Sequence, residues 1–180
     1  MKAYKFLRVG RVAPFSEVVW PEGGWVEAQG PLDPCRSGVH ACRPRHLPYW
    51  LGEELWAVEL AGDRIETDLQ VVAERGRLQE RVGAWDEDAR RDFAAECVRR
   101  TADYAAAELR EQGPDAATLA GYAEDAAGYA AAGDTAGAAF VAAHAAELHA
   151  PPGVSRPFEA ERAEQARWLA DRLGLSAADA

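Results

Sequence analysis

Residues 80–93 read Glu80-Arg81-Val82-Gly83-Ala84-Trp85-Asp86-Glu87-Asp88-Ala89-Arg90-Arg91-Asp92-Phe93, and two kinds of polypeptide meet within them. Upstream, the chain is rich in Val, Trp, Pro and Gly and falls into short apolar runs broken by turn-formers, the pattern of strands and hairpins. Downstream, Ala dominates, and Asp86, Glu87 and Asp88 put acids where the positive end of a helix dipole would lie. The junction divides an extended half, residues 1–82, from a helical half, residues 83–180. The fold class predicted is α+β: a small mixed β-sheet as the N-terminal layer, packed on an Ala-rich bundle of about four helices, with the two halves forming one structural unit.

In the extended half, Leu55 to Leu60 alternates, with Trp56, Val58 and Leu60 on one face and Leu55, Ala57 and Glu59 on the other. Tyr4 to Val9 and Leu69 to Ala73 predict further strands. Gly38 to Cys42 predicts a short strand whose His40 and Cys42 share a face. Pro44 opens a helical turn over His46 to Leu51, since proline suits a first helical turn. Ala13-Pro14, Pro21 to Gly24 and Gly30 to Gly38 read as turns and loop, with extended pieces at Val18 to Trp20 and Trp25 to Ala28. In the helical half, Phe93, Cys97, Thr101, Tyr104 and Leu109 recur by three to five and form one stripe. Gly113-Pro114 ends that helix, and Leu119, Tyr122, Ala126 and Tyr129 mark the next. Gly133-Asp134 is a stop and a cap before a third helix carrying Phe140, Val141, His144 and Leu148. After a proline-bearing linker from Ala150 to Pro157, a last helix runs from Phe158 to Leu173 and ends at Gly174. Leu175 to Ala180 are expected to fray.

The formal charge is −10, with a sequence pI near 4.9. Arg and Lys divide evenly between residues 1–80 and 81–180 and form no basic stripe, which argues against a nucleic-acid partner. No run approaches the roughly 18 apolar residues of a membrane span, so no membrane partner is expected. The N-terminal residues lack the apolar core of an export signal, and the odd count of three cysteines suggests no disulfide framework. A cytoplasmic protein with reduced thiols is the expectation.

The densest run of reactive side chains is Cys35, His40, Cys42 and His46, spaced C-x4-H-x-C-x3-H. Thiol and imidazole titrate near neutrality and bind soft or borderline metals. One expectation is a zinc site with Cys35, His40, Cys42 and His46 as ligands. A second is thiol chemistry, Cys42 or Cys35 being activated by His40 or His46. A third is acid/base work by His40 with Glu59 facing the same pocket. The fourth is plain packing, since free cysteine is among the most buried residue types. Tyr49, Trp50, Trp56, Trp20 and Trp25 crowd around this run, and Tyr49, Trp50, Trp20 and Arg43 are the candidate ligand-contacting residues. These features favour an enzyme acting on a small molecule with His40, Cys42 and Glu59 as catalytic candidates. The cofactor is none or zinc, the expected partner is a small-molecule ligand, and a homo-oligomer stays open. The rival is a non-catalytic protein-interaction module with a structural zinc site.

Gly38-Val39-His40-Ala41-Cys42, Leu47-Pro48-Tyr49-Trp50-Leu51 and Glu54-Leu55-Trp56-Ala57-Val58-Glu59-Leu60 resemble a family of uncharacterised proteins from high-GC bacteria. The resemblance extends to Val72-Ala73-Glu74-Arg75-Gly76-Arg77-Leu78 and to Glu161-Arg162-Ala163-Glu164-Gln165-Ala166-Arg167-Trp168. It implies that the strands and helices belong together, and it implies no activity. The order strand, short helix, strand over Gly38–Leu60 is also similar to half of the NAD pocket of the ADP-ribosyltransferase fold, which would make Glu59 the acid of an NAD-binding domain.

Overall fold

The computed structural model describes residues 1–175, so the expected fraying of the last residues lies outside the described part from residue 176 onward. The fold is α+β, and the described residues divide into two compact units, residues 1–86 with 169–175, and residues 87–168. None of the described helices is long and apolar enough to cross a membrane.

Among the described residues the first unit holds five strands: β1 (Lys2–Leu7), β2 (Val26–Glu27), β3 (Val39–Ala41), β4 (Glu54–Glu66) and β5 (Val71–Arg81), with a 3-10 turn over Pro44–Tyr49. A long hairpin, β4 to β5, is its backbone. Thr67 shapes the hairpin's end, its N–H donating to the Gln70 carbonyl and its hydroxyl accepting from the Leu69 and Gln70 amides. Two register shifts bend the hairpin, between Ala57 and Val58 and between Ala61 and Arg64. Gly62 makes the second bend: its φ is +79°, and a Cβ there would lie 2.2 Å from Glu74 Oε2.

β1 pairs with β4, and β3 and β2 pair with β5. Every pairing is antiparallel, which corrects the expectation of a mixed sheet. A parallel pair needs a crossover of a dozen or more residues, usually a helix, and here hairpins and loops do the joining. The sheet also returns on itself. Beyond β3, the Cys42 amide donates to the Tyr4 carbonyl at 2.7 Å and the Tyr4 amide to the Cys42 carbonyl at 2.8 Å, so β1, β4, β5 and β3 form a closed circuit. One face of this circuit gathers Ala3, Leu7, Val39, Ala41, Val58, Leu60, Val71, Ala73 and Leu78 around Ala13 and Trp20. Trp85 serves the opposite face, its ring edge-on to Phe6 at 5.5 Å and its indole N–H bonded to the Gly52 carbonyl.

The second unit comprises α1 (Glu87–Arg110), α2 (Ala116–Ala131), α3 (Thr135–His149) and most of α4 (Pro157–Leu173). α1, α2 and α3 pack on one another through small side chains; Ala138, Ala139, Ala142, Ala143 and Ala145 are fully buried. Asp134 caps α3 by accepting from the Gly137 amide. A polar lock ties α4 to α1. Glu161, 2% exposed, accepts from Arg100 Nε at 2.6 Å and from the Tyr104 hydroxyl at 2.7 Å, and Gln165 reaches from α4 to the Ala139 carbonyl. Burial and the neighbouring Glu161 push the Tyr104 hydroxyl up to about 12, so it remains a donor at neutral pH.

Candidate functional site at the closing seam

The seam between β1 and the β3 segment explains the Gly-Val-His-Ala-Cys run residue by residue. Gly38 sits at φ +124°, and a Cβ there would lie 2.3 Å from Val72 Cγ1. Gly38→Ala is expected to destabilise the protein by more than about 2 kcal/mol, combining backbone strain with overpacking. An unchanged thermal midpoint would contradict this account of the turn. Val39 and Ala41 fill the face shared with Trp20. His40 turns its ring back on its own loop: Nε2 accepts the Cys35 amide at 3.0 Å, which leaves Nδ1 to donate to the Gly38 carbonyl at 3.0 Å. Burial, then the nearby Lys5 charge, lowers its pKa, in keeping with a neutral ring held as a loop clamp.

Cys42 is buried and donates its S–H to the Tyr4 carbonyl at 3.2 Å. Burial raises the thiol to about 12 against the opposing influence of Lys5, so thiolate is scarce at neutral pH. Cys35 is exposed and its sulfur accepts from Gln70 Nε2. His46, 1% exposed, lies in the 3-10 turn; its Nδ1 accepts the Arg43 amide, which puts the ring proton on Nε2, an atom with no hydrogen-bond partner. Burial above all, with the Arg45 charge next, holds its pKa down to about 4. Among the described residues, no three His, Cys, Asp or Glu side chains are grouped to hold a metal ion. In this arrangement the expected zinc ligands Cys35, His40, Cys42 and His46 each have other partners: backbone groups bond both His40 nitrogens, Cys42 and His46 each bond a backbone group, and Cys35 accepts from Gln70.

Glu59 bonds Arg77 Nε and Gln79 Nε2, both at 2.8 Å, while His40 bonds Cys35 and Gly38, so the two catalytic candidates have different partners. Arg43 and Arg45 converge on Glu66, whose carboxyl they hold below its usual range. Trp50 donates to the Leu69 carbonyl and lies edge-on to Phe15; Tyr49, half-buried, closes the 3-10 turn. The guanidinium groups of Arg75 and Arg77 both lie within about 5 Å of the centre of the Trp25 ring.

Trp20 leads to a residue that motif reading passes over. Lys5 lies between Ala3 and Leu7 on the same face of β1, half-buried, its ammonium 5.4 Å from the centre of the Trp20 ring and donating to the His40 carbonyl at 2.7 Å. Trp56 stands directly opposite it on β4, and the Trp56 indole N–H bonds Glu54 Oε2. Burial lowers the Lys5 pKa to about 8. Among the described residues, no carboxylate forms an ion pair with it; Glu54, opposite Leu7, bonds Trp56 and the Gly10 amide and pairs with Arg81. The signal was present in the sequence as a lysine at the alternating apolar position of Lys2–Leu7. No family model matches the chain, and no curated protein or solved structure matches it either.

Proposed function

We propose that the protein acts on a small molecule at the Trp20 side of the seam, with the Lys5 amine as its reactive group. The observation that carries this reading is a lysine with no carboxylate ion pair among the described residues, its ammonium beside Trp20 and bonded to the His40 carbonyl, with Trp56 opposite it on β4. A desolvated lysine with a pKa near 8 is neutral in about a tenth of molecules at pH 7, enough for a base or nucleophile. His40 and Cys42 then act through the backbone as positioning residues, holding the strand against which the amine is set. We place this chemistry in the cytoplasm, where the three unpaired cysteines persist as thiols.

The chain has two lysines, Lys2 and Lys5, so each is the other's control. Acetylation with acetic anhydride at graded pH, read by peptide mass spectrometry, is expected to give Lys5 a half-maximal rate near pH 8. Occupancy by a small aromatic such as benzyl alcohol is expected to protect Lys5 and leave Lys2 unprotected. A Lys5 that stays unmodified while Lys2 reacts at every pH would end the proposal.

A second reading, a non-catalytic interaction module, is supported by the connection between β1 and β2. Its turns are fixed by backbone bonds from Arg8 to Val12, Ala13 to Val18 and Trp20 to Arg11, yet Val9, Phe15, Val18 and Val19 face solvent, Phe15 at 85% exposure. Large apolar side chains on an ordered segment mark contact surfaces in soluble proteins.

A further inference from the structure

We infer that His149, in the helical unit and independent of the Lys5 reading, is an acyl-accepting imidazole: its Nε2 takes the acyl group of a neutral ester and passes it to water.

His149 is the last residue of α3, and its Nδ1 lies 3.1 Å from Glu108 Oε2 on α1. A carboxylate accepts, so the ring donates from Nδ1 and in its neutral form keeps the lone pair on Nε2. The loop after α1 is shaped around that carboxylate. The Asp115 amide donates to Glu108 Oε1 at 3.4 Å, Gln112 turns the chain at φ +53°, and Gly113 lies so close to Oε1 that a Cβ would not fit. The Tyr104 ring backs the imidazole, with centroids 5.6 Å apart. The Glu108 side chain is 11% exposed and that of His149 22%. Among the described residues His149 Nε2 has no hydrogen-bond partner, yet it is not sealed from solvent as His46 Nε2 is, so an electrophile can reach it from outside.

The other three histidines lack this combination. Both His40 nitrogens bond backbone groups, and His46 carries its proton on a buried Nε2. His144 bonds a carboxylate too, but Glu147 is 55% exposed on the same helix, and the His144 ring packs against Phe140 and Phe158. A buried, backbone-held carboxylate fixes the tautomer; an exposed one does not.

Charge selects the acyl class. Glu108 and the carbonyl end of α3 both favour positive charge on the ring, and Glu161, the other carboxylate bonded at Tyr104, is held by Arg100. An acyl group makes the ring a cation, whereas a phosphoryl group would bring negative charge to the same place. Nε2 attacks the ester carbonyl carbon, a C–N bond forms, and the C–O bond breaks so that the alkoxide leaves with its electron pair. Water then attacks the acyl carbon, the C–N pair returns to Nε2, and the proton that the water releases goes to the alkoxide. One ester and one water become one acid and one alcohol, with the Nδ1 proton kept against Glu108 throughout.

The test uses the full chain and two probes, diethyl pyrocarbonate and para-nitrophenyl acetate. On the unaltered protein, peptide mapping is expected to show diethyl pyrocarbonate acylating His149 at least about tenfold faster than His144; equal rates would overturn the proposal. With para-nitrophenyl acetate, repeated turnover is expected, falling about tenfold or more in His149→Gln at unchanged helical circular dichroism and persisting in His144→Gln. Glu108→Gln is expected to slow turnover and to mix the two neutral tautomers of His149 in the nitrogen NMR spectrum, which a purely structural role would not do. Turnover that survives in His149→Gln and falls in Cys35→Ser would assign the chemistry to the exposed thiol and overturn the proposal. Labelling of His149 by phosphoramidate without ester turnover would overturn the acyl class.

Discussion

Lys5→Met is expected to make the protein more stable at pH 7 by about 2 kcal/mol. Lowering a lysine from its usual 10.5 to about 8 corresponds to about 3 kcal/mol of penalty for holding the charge in a desolvated place. The lost bond to the His40 carbonyl offsets about 1 kcal/mol of the gain. The difference between variant and wild type also has a direction in pH. Below about pH 8 both the folded and unfolded wild type carry the proton, and the penalty is complete. Between about pH 8 and 10.5 the folded form sheds its proton first, so wild-type stability gains on the variant as pH rises, and above about 10.5 the penalty is gone. Taking the difference cancels the opposite trend from Cys97, whose thiol, raised to about 12 by burial, favours the folded state less as pH climbs past 9; Cys42, which Lys5 opposes, loses that influence in the variant. Urea unfolding of both proteins across this range measures it. A variant less stable than wild type at pH 7 would show that the lysine is a structural asset. Residues kept at a cost in stability are those expected at working sites.

Glu161→Ala carries the largest expected loss, about 3–5 kcal/mol from the helical unit. The carboxylate is buried and takes hydrogen bonds from Arg100 and Tyr104, so its removal strands a guanidinium and a hydroxyl at once. The double variant Glu161→Leu with Arg100→Met is expected to recover much of that loss, because replacing both partners removes the stranded charge. Denaturation followed by helical circular dichroism distinguishes these cases. Equal losses in the single and double variants would mean that the pair contributes through shape alone.

The helices were legible because their information is local. Gly113-Pro114, Gly133-Asp134 and Gly174 end or cap α1 to α4 within a few residues of the expected positions, and the acids at Glu87 and Asp88 do begin the first of them. The strands were legible in kind and shorter in reach: Leu69 to Ala73 predicted only the start of β5, whose charged second half, through Arg81, is held by its pairing with β4. Tertiary pairing overrode propensity there. The partners of the Cys/His run were not legible for a different reason. Spacing reports which residues are near one another along the chain, but His40, Cys42 and His46 each bond a backbone group, and no spacing rule encodes a carbonyl supplied by Tyr4 or an amide supplied by Arg43. Lys5 was missed because its importance depends on which loop, the one bearing Trp20, comes to cover its face.

The closed circuit of strands also sets an order in time. β4 and β5 are joined by a short turn and can pair almost as soon as both exist, whereas β1 must wait for partners more than forty residues further along, at Glu54 to Glu59. Local pairings outrun distant ones, since the entropy of closing a long loop must be overcome before its contacts reward it. Until then β1 is a short, sticky, unpaired ribbon, the kind that neighbouring nascent chains can capture. Lys2 and Lys5 give that waiting ribbon two positive charges in six residues, repelling its own kind during the interval. The amine later set beside Trp20 thus begins as a guard against misassembly.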